Sequence, residues 1–199
     1  MTYVVGIDEV GRGPIAGPVV VCACAVQKDV DILSLFPKGV LKDSKKITEK
    51  NRIKIFTGLG DFIDSKKVVY GIGEVSAERI DAIGISKAIQ EAVDTALSVI
   101  HEKKVPQDSY IYLDGLLHAH NRFKQETIVK GDEKINEIAL ASIIAKVYRD
   151  TTMKSLANDF PKYGFEKHVG YGTKAHYEAI SAYGITQYHR KSYLKKFEK

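Results

Sequence analysis

Val4-Val5-Gly6-Ile7-Asp8-Glu9-Val10-Gly11-Arg12-Gly13 is the stretch from which the fold is read. From Tyr3 to Ile7 the residues are β-branched, aromatic or small with no polar break, as in a buried strand, and the run then delivers two carboxylates into a glycine-framed arginine. A charged side chain at the end of such a strand is costly unless something neutralises it, and a divalent cation does so most directly. Successive strand residues point to opposite faces, so Asp8 and Glu9 share one site only if the strand ends or bends there, which Gly11 and Gly13 permit. Taken alone, the same residues also describe a strand ending in a polar turn with solvated acids.

Downstream, Val19 to Val26 reads as a second central strand, and the short connection through Pro14, Gly17 and Pro18 implies an antiparallel hairpin. Cys22 and Cys24 then project to one face as small core residues, too close in sequence for an unstrained disulfide and without further cysteines for a zinc site. Asp29 to Lys46 is expected to be loop. Thr48 should cap a helix carrying Ile53, Ile55, Phe56 and Leu59 that stops near Gly58 to Gly60, and Val68 to Gly73 another strand. Ser76 should cap a short helix over Ala77 to Ala82. Ile89, Val93, Ala96, Leu97 and Ile100 form one stripe of a longer helix, Ser86 to Lys103, which Pro106 ends.

Tyr110 to Leu113 repeats the opening logic, a buried run that terminates in an acid, Asp114, followed by Gly115. Glu126 to Lys130 is a further short strand candidate. Ile135 to Leu156 is predicted as a helix packed on both sides, with Asp132 just before it, where a capping role is the plain alternative to a functional one. Pro161 to Lys174 reads as loop, and Ala175 to Tyr183 as a helix that Gly184 ends. The tail from His189 is basic with interleaved aromatics. It either tracks phosphates or is an ordinary frayed helix.

The 199-residue chain is 44% hydrophobic and carries a net charge of +5. Residues 1–100 are charge-balanced, so the whole excess lies in residues 101–199, as suits a polyanionic partner. No apolar stretch approaches the roughly 20 residues of a membrane span, and no basic segment followed by an apolar core opens the chain. A cytoplasmic protein with no membrane association is expected.

Gly11, Gly13 and Gly17 miss the dinucleotide fingerprint, Gly172-Thr173-Lys174 fails the phosphate-loop pattern, and no nucleophile elbow or His-Glu-x-x-His motif occurs. His118 and His120 stand as an isolated pair in a loop. What remains is an oxygen-only set, Asp8, Glu9, Asp114 and Asp132, three of which end predicted strands. Oxygen ligands suit magnesium or manganese, and a pair of such ions about 4 Å apart can activate water and stabilise a leaving oxygen in phosphoryl displacement. Together with the basic second half, these acids point to metal-assisted cleavage of a phosphate ester in nucleic acid.

Seven blocks, in order and spacing, carry a resemblance: Ile7 to Pro14, Leu41 to Lys46, Leu113-Asp114-Gly115, Lys130-Gly131-Asp132, Ala141 to Asp150, Gly170 to His176 and His189 to Tyr193. They resemble type 2 ribonuclease H, the bacterial ribonuclease HII, over almost the whole chain. The resemblance implies an α/β fold, a ribonuclease H-like mixed sheet flanked by helices, as a single domain over residues 1–199 with a C-terminal helical portion from about residue 160. It implies a monomeric endoribonuclease that hydrolyses the RNA strand of RNA/DNA hybrids and cuts 5′ of single ribonucleotides embedded in duplex DNA. It also implies an Mg2+ or Mn2+ site at Asp8, Glu9, Asp114 and Asp132. Gly11, Arg12 and Gly13 would lie against the ribose 2′-hydroxyl, with Arg12 serving phosphate or bracing the loop. Tyr171 would read the junction and Lys45 would contact phosphate. Since the 2′-hydroxyl is what separates RNA from DNA, a glycine frame that lets backbone come close makes physical sense.

Leu116 and Val169 depart from the family's usual Asn and Lys and put substrate preference and rate in doubt. Asp150 lies 18 residues beyond Asp132, about 27 Å along a straight helix, too far for the same metal. Two other classes share part of the pattern. A nonspecific two-metal nuclease would need the acids without Tyr171 and the glycine frame, and a silent nucleic-acid-binding module would have no use for four converging carboxylates.

Overall fold

The computed structural model describes residues 2–35 and 47–195. A five-stranded mixed sheet is built from β1 (Tyr3–Val10), β2 (Val19–Gln27), β3 (Val68–Val75), β4 (Tyr110–Asp114) and β5 (Gln125–Ile128), in spatial order β3-β2-β1-β4-β5. β2 runs antiparallel to both β1 and β3, while β4 is parallel to β1 and β5. The helices are α1 (Glu49–Gly58), α2 (Gly60–Asp64), α3 (Ala77–Ile83), α4 (Ile85–Glu102), α5 (Asn136–Asp159), α6 (Phe165–His168) and α7 (Lys174–Tyr183).

The period-2 alternation of the strands divides the core. Tyr3, Val5, Ile7, Val21 and Ala23 face α4, whose stripe Ala88, Ile89, Ala92, Val93, Ala96, Leu97 and Ile100 is buried. The larger members of that stripe contribute roughly 2 kcal/mol each on leaving water. On the opposite face Val20, Cys22, Cys24 and Val26 meet Leu140, Ile143 and Ile144 of α5 and Ile55 of α1. Both cysteines are free, buried and on one face as expected, and burial pushes their thiols up. Gly6 lets α5 cross β1 closely, because a Cβ there would collide with the backbone of Glu137 and Ile138. The second half of α5 contributes Met153, Leu156 and Ala157 to a C-terminal cluster with Phe165, Ala179 and Ile180.

Thr48, Ser76 and Thr173 each cap a helix by accepting a backbone N–H, at α1, α3 and α7. Two expectations need correction here. β1 does not end or bend at Asp8 but runs on to Val10, because β2 supplies partners as far as Val10↔Val20. The segment Pro161 to Lys174 is not all loop, since Phe165–His168 makes one helical turn that closes through a left-handed Val169. Among the described residues no helix is long and apolar enough to cross a membrane.

Candidate active site

The parallel pairing of β1 with β4 stops at Ile7↔Leu113 and β4 ends at Asp114, level with Asp8, so Glu9 and Val10 extend beyond it and leave open space at the carboxyl ends of two adjacent parallel strands. Crevices outside strand carboxyl ends are where open α/β sheets collect ligands. A cavity of about 430 Å³ lies here, lined by Asp8, Glu9, Gly11, Arg12, Gly13, Asp114, Asp132 and Tyr171. Asp8 and Glu9 therefore reach one cavity because β4 stops short.

Asp8 is buried and accepts the Glu9 N–H at 2.8 Å, and Ser142 of α5 hydrogen-bonds to it. Burial first, and then the neighbouring Glu9 and Asp114, push its carboxyl well above the usual carboxylate range. Asp114 closes β4 and accepts the Gly131 N–H at 2.6 Å, which ties the β4 end to the turn carrying Asp132. Asp132 is 2% exposed and sits on a 3-10 turn, Gly131–Glu133, that follows the left-handed Lys130. The position that caps α5 is Ile135, so Asp132 does not serve as that helix's cap. An all-oxygen donor set around an Asp8 that disfavours its own charge fits a divalent cation. Among the described residues, however, no three acidic, histidine or cysteine side chains already form a metal cage.

Arg12 is exposed and lies 3.8 Å from Glu9. Gly11, at φ 89°, turns where a Cβ would run into the Arg149 side chain. Two wholly buried guanidiniums hold this turn. Arg149 of α5 donates to the carbonyls of Pro18 (2.9 Å), Ala16 (3.1 Å) and Val169 (2.8 Å). Arg190 donates to Gly11 (2.6 Å), Arg12 (3.1 Å) and Gly17 (2.9 and 3.0 Å). At the start of the tail, His189 and Arg190 are neither a phosphate track nor part of a frayed helix, since both are buried against the turn they brace. Burial lowers the pKa of Arg149 to about 10, still cationic near neutral pH, and lowers that of Arg190 in the same direction. Tyr171 is 43% exposed, beside Gly13.

Ser142, Lys146 and Arg52 also line the acid cavity, and no role for them was expected. Ser142 and Lys146 are four residues apart on α5, one face of a helix, which is the signal that could have found them. Asp150, the next residue on that face, pairs with Lys146 at 2.7 Å and Arg52 at 3.5 Å and does not line the cavity, as its distance along the helix implied. Lys45 and the rest of Leu41 to Lys46 lie outside the described residues. Leu116 is 84% exposed. A larger cavity of about 620 Å³, lined mainly by apolar residues with Glu74 and Asp159, contains none of the four carboxylates.

A mixed sheet in this order, flanked by helices and bearing acids at the carboxyl ends of its parallel strands, is the ribonuclease H-like fold of divalent-metal phosphodiester hydrolases. The solved ribonuclease H2 from Pyrococcus horikoshii OT3 superposes with a TM-score of 0.76 at 27% identity, covering 99% of this chain and 97% of that one. The family profile described as Ribonuclease HII matches residues 5–196. The ribonuclease HII of Clostridioides difficile (strain 630) is 45% identical over 193 residues, 97% of this chain and 70% of the relative. That of Chlamydia caviae is 45% identical over 196 residues, 96% of this chain and 84% of the relative. The chain belongs to the ribonuclease HII family, endoribonucleases that act on RNA/DNA hybrids and on ribonucleotides in duplex DNA.

Proposed function

We propose that Asp8, Glu9, Asp114 and Asp132 hold the Mg2+ or Mn2+ ions of a two-metal site, and that Gly11, Arg12, Gly13 and Tyr171 read the RNA to DNA junction beside it. The observation that carries this is the shared cavity: carboxylates from β1, β4 and the turn before α5 line one wall with the glycine turn and the half-exposed tyrosine. When bound, divalent cations supply charge stabilisation and acidify water. The protein's own part is positional. Ser142 and the Glu9 N–H orient Asp8, the Gly131 N–H orients Asp114, and the two buried arginines hold the turn whose backbone approaches the ribose. Lys45 is assigned a phosphate contact on the resemblance of its Asp-Ser-Lys block. A single domain, a monomer and a cytoplasmic location belong to the same proposal.

The ribose hydroxyl is read rather than used as nucleophile, so the cut falls on the 5′ side of the ribonucleotide and leaves a 3′-hydroxyl and a 5′-phosphate. The test is a duplex with one embedded ribonucleotide, incubated with magnesium, its product ends mapped by mass spectrometry. A cyclic phosphate, or equal cutting of all-DNA duplex, refutes the proposal.

A further inference from the structure

Outside the acid cavity, three histidines pack below Tyr171. His176 opens α7 and is fully buried, His189 is 2% exposed, and His168 is stacked on His176 with ring centroids 4.2 Å apart. Their hydrogen bonds admit one proton arrangement. The Tyr171 carbonyl can only accept, so His176 Nδ1, 2.9 Å away, carries the proton. The neutral ring then has a bare Nε2, and the group facing it at 3.1 Å, His189 Nε2, must donate. That leaves His189 Nδ1 bare, as it has to be, because the Thr186 N–H donates to it at 2.9 Å. Both ends of the chain are backbone groups whose roles cannot reverse. A proton added to His176 would set N–H against N–H across 3.1 Å, and one added to His189 would set Nδ1–H against the Thr186 N–H at 2.9 Å; burial lowers both imidazoles to about 4.

We propose that His189 and His176 are positioning residues for ribonucleotide recognition, a hydrogen-bond chain of fixed polarity that sets the backbone of Tyr171. The neighbouring groups serve the same segment. His168 donates through Nε2 to the Tyr163 carbonyl at 2.8 Å and accepts the Gly170 N–H at 3.2 Å, while Arg149 holds the Val169 carbonyl and the N–H groups of Ile15 and Ala16 hold that of Gly170. The Tyr171 backbone is thereby pinned while its ring stays exposed to the cavity, next to Gly13. Filling the space needs only an apolar ring or a leucine, and burying two imidazoles is costly unless each nitrogen has its partner. Displacements of about 1 Å at a reading group cost orders of magnitude in rate. This inference rests on the proposed role of Tyr171.

Its test has a spectroscopic and a kinetic arm. Two-bond 1H–15N correlation of the wild-type protein should show His176 protonated at Nδ1 and His189 at Nε2 at pH 7, and the opposite tautomer at either ring overturns the chain. In the kinetic arm, kcat/KM is compared for a duplex carrying one ribonucleotide and for a uniform RNA/DNA hybrid. His176→Leu should lower that ratio by about tenfold, whereas His176→Asn, whose amide reaches the Nδ1 position, should restore most of it. His189→Gln, which can still donate from the Nε2 position, should keep the ratio, and His189→Leu should lose it. A folded His176→Leu with an unchanged ratio overturns the proposal. If His176→Leu does not fold, the His189 pair decides in the same way. Tyr171→Ala separates the two layers: when it loses the ratio and the histidine variants do not, the chain alone fails, and when it keeps the ratio, the reading of Tyr171 fails and the positioning role with it.

Discussion

Arg190→Met keeps a long apolar stem in place but removes the guanidinium that closes four hydrogen bonds on Gly11, Arg12 and Gly17. The Arg12 carbonyl retains the Tyr193 hydroxyl at 3.1 Å, so the substitution strands two carbonyls, those of Gly11 and Gly17. A buried acceptor left without its partner costs roughly 1–3 kcal/mol. Against this, a buried cation whose hydrogen-bond acceptors are all neutral carbonyls gives back part of its desolvation penalty when it is removed. The balance is a loss of about 3 kcal/mol, together with the 5.2 Å stacking contact on Tyr193. Urea unfolding should show this as a lower midpoint at constant slope. Arg190→Lys should recover little of it, since one ammonium cannot reproduce a fork that spans three carbonyls. At magnesium concentrations that saturate the wild type, cleavage of a ribonucleotide-containing duplex should fall in both variants. An unfolding free energy within about 0.5 kcal/mol of wild type would show that the turn stands without its brace.

Asp8→Asn should abolish cleavage while raising stability in metal-free buffer by about 1 kcal/mol, or roughly 2–4 °C in Tm, because it removes a buried charge crowded by Glu9 and Asp114; a lower Tm would contradict that account of the cluster. Stability should fall as pH drops from about 6.5 to about 4, since unfolded His176 and His189 take up protons that the folded rings refuse until about 4. For one imidazole this amounts to roughly 3 kcal/mol, and less than twice that for the coupled pair. Asp8 is shifted in the opposite sense, so the measurement is the difference between wild type and His176→Asn/His189→Gln, which should narrow across this window; a constant difference would place the acid sensitivity elsewhere. Neutralising Lys45 should reduce the salt slope of duplex binding by about one without moving the cut, and an unchanged slope removes Lys45 from the interface.

The elements that announced themselves in the sequence are those decided locally. Thr48 and Ser76 cap where an oxygen-bearing side chain precedes an apolar period, and Gly184 stops α7. Asp8, Glu9 and Asp114 were legible for the same reason, each ending a short apolar run, and the structure brings them into one cavity with Asp132. What was not legible depends on distant partners. Asp8 to Val10 looks like a turn until Val20 to Cys22 are found alongside it. His189-Arg190 looks like a solvated basic tail, because its acceptors are backbone carbonyls, which carry no sequence signature, more than 170 positions earlier. Val169 at φ 43° is the kind of residue that local preference argues against, and it is held there by Arg149 and the turn of α6.

The span between Gly11 and Arg190 bears on how the enzyme comes into being. A chain is synthesised from its N-terminus, and long-range contacts form late because a large loop must close first. Asp8, Glu9 and the turn after them are among the first residues made, yet the guanidinium that shapes the turn is delivered 179 positions later. If the glycine turn reads ribose as proposed, a growing chain that holds its sheet and its carboxylates would still lack the surface for that reading. On that reading, slow or faulty docking of the segment around Arg190 would leave a population folded through the core but blind to ribose.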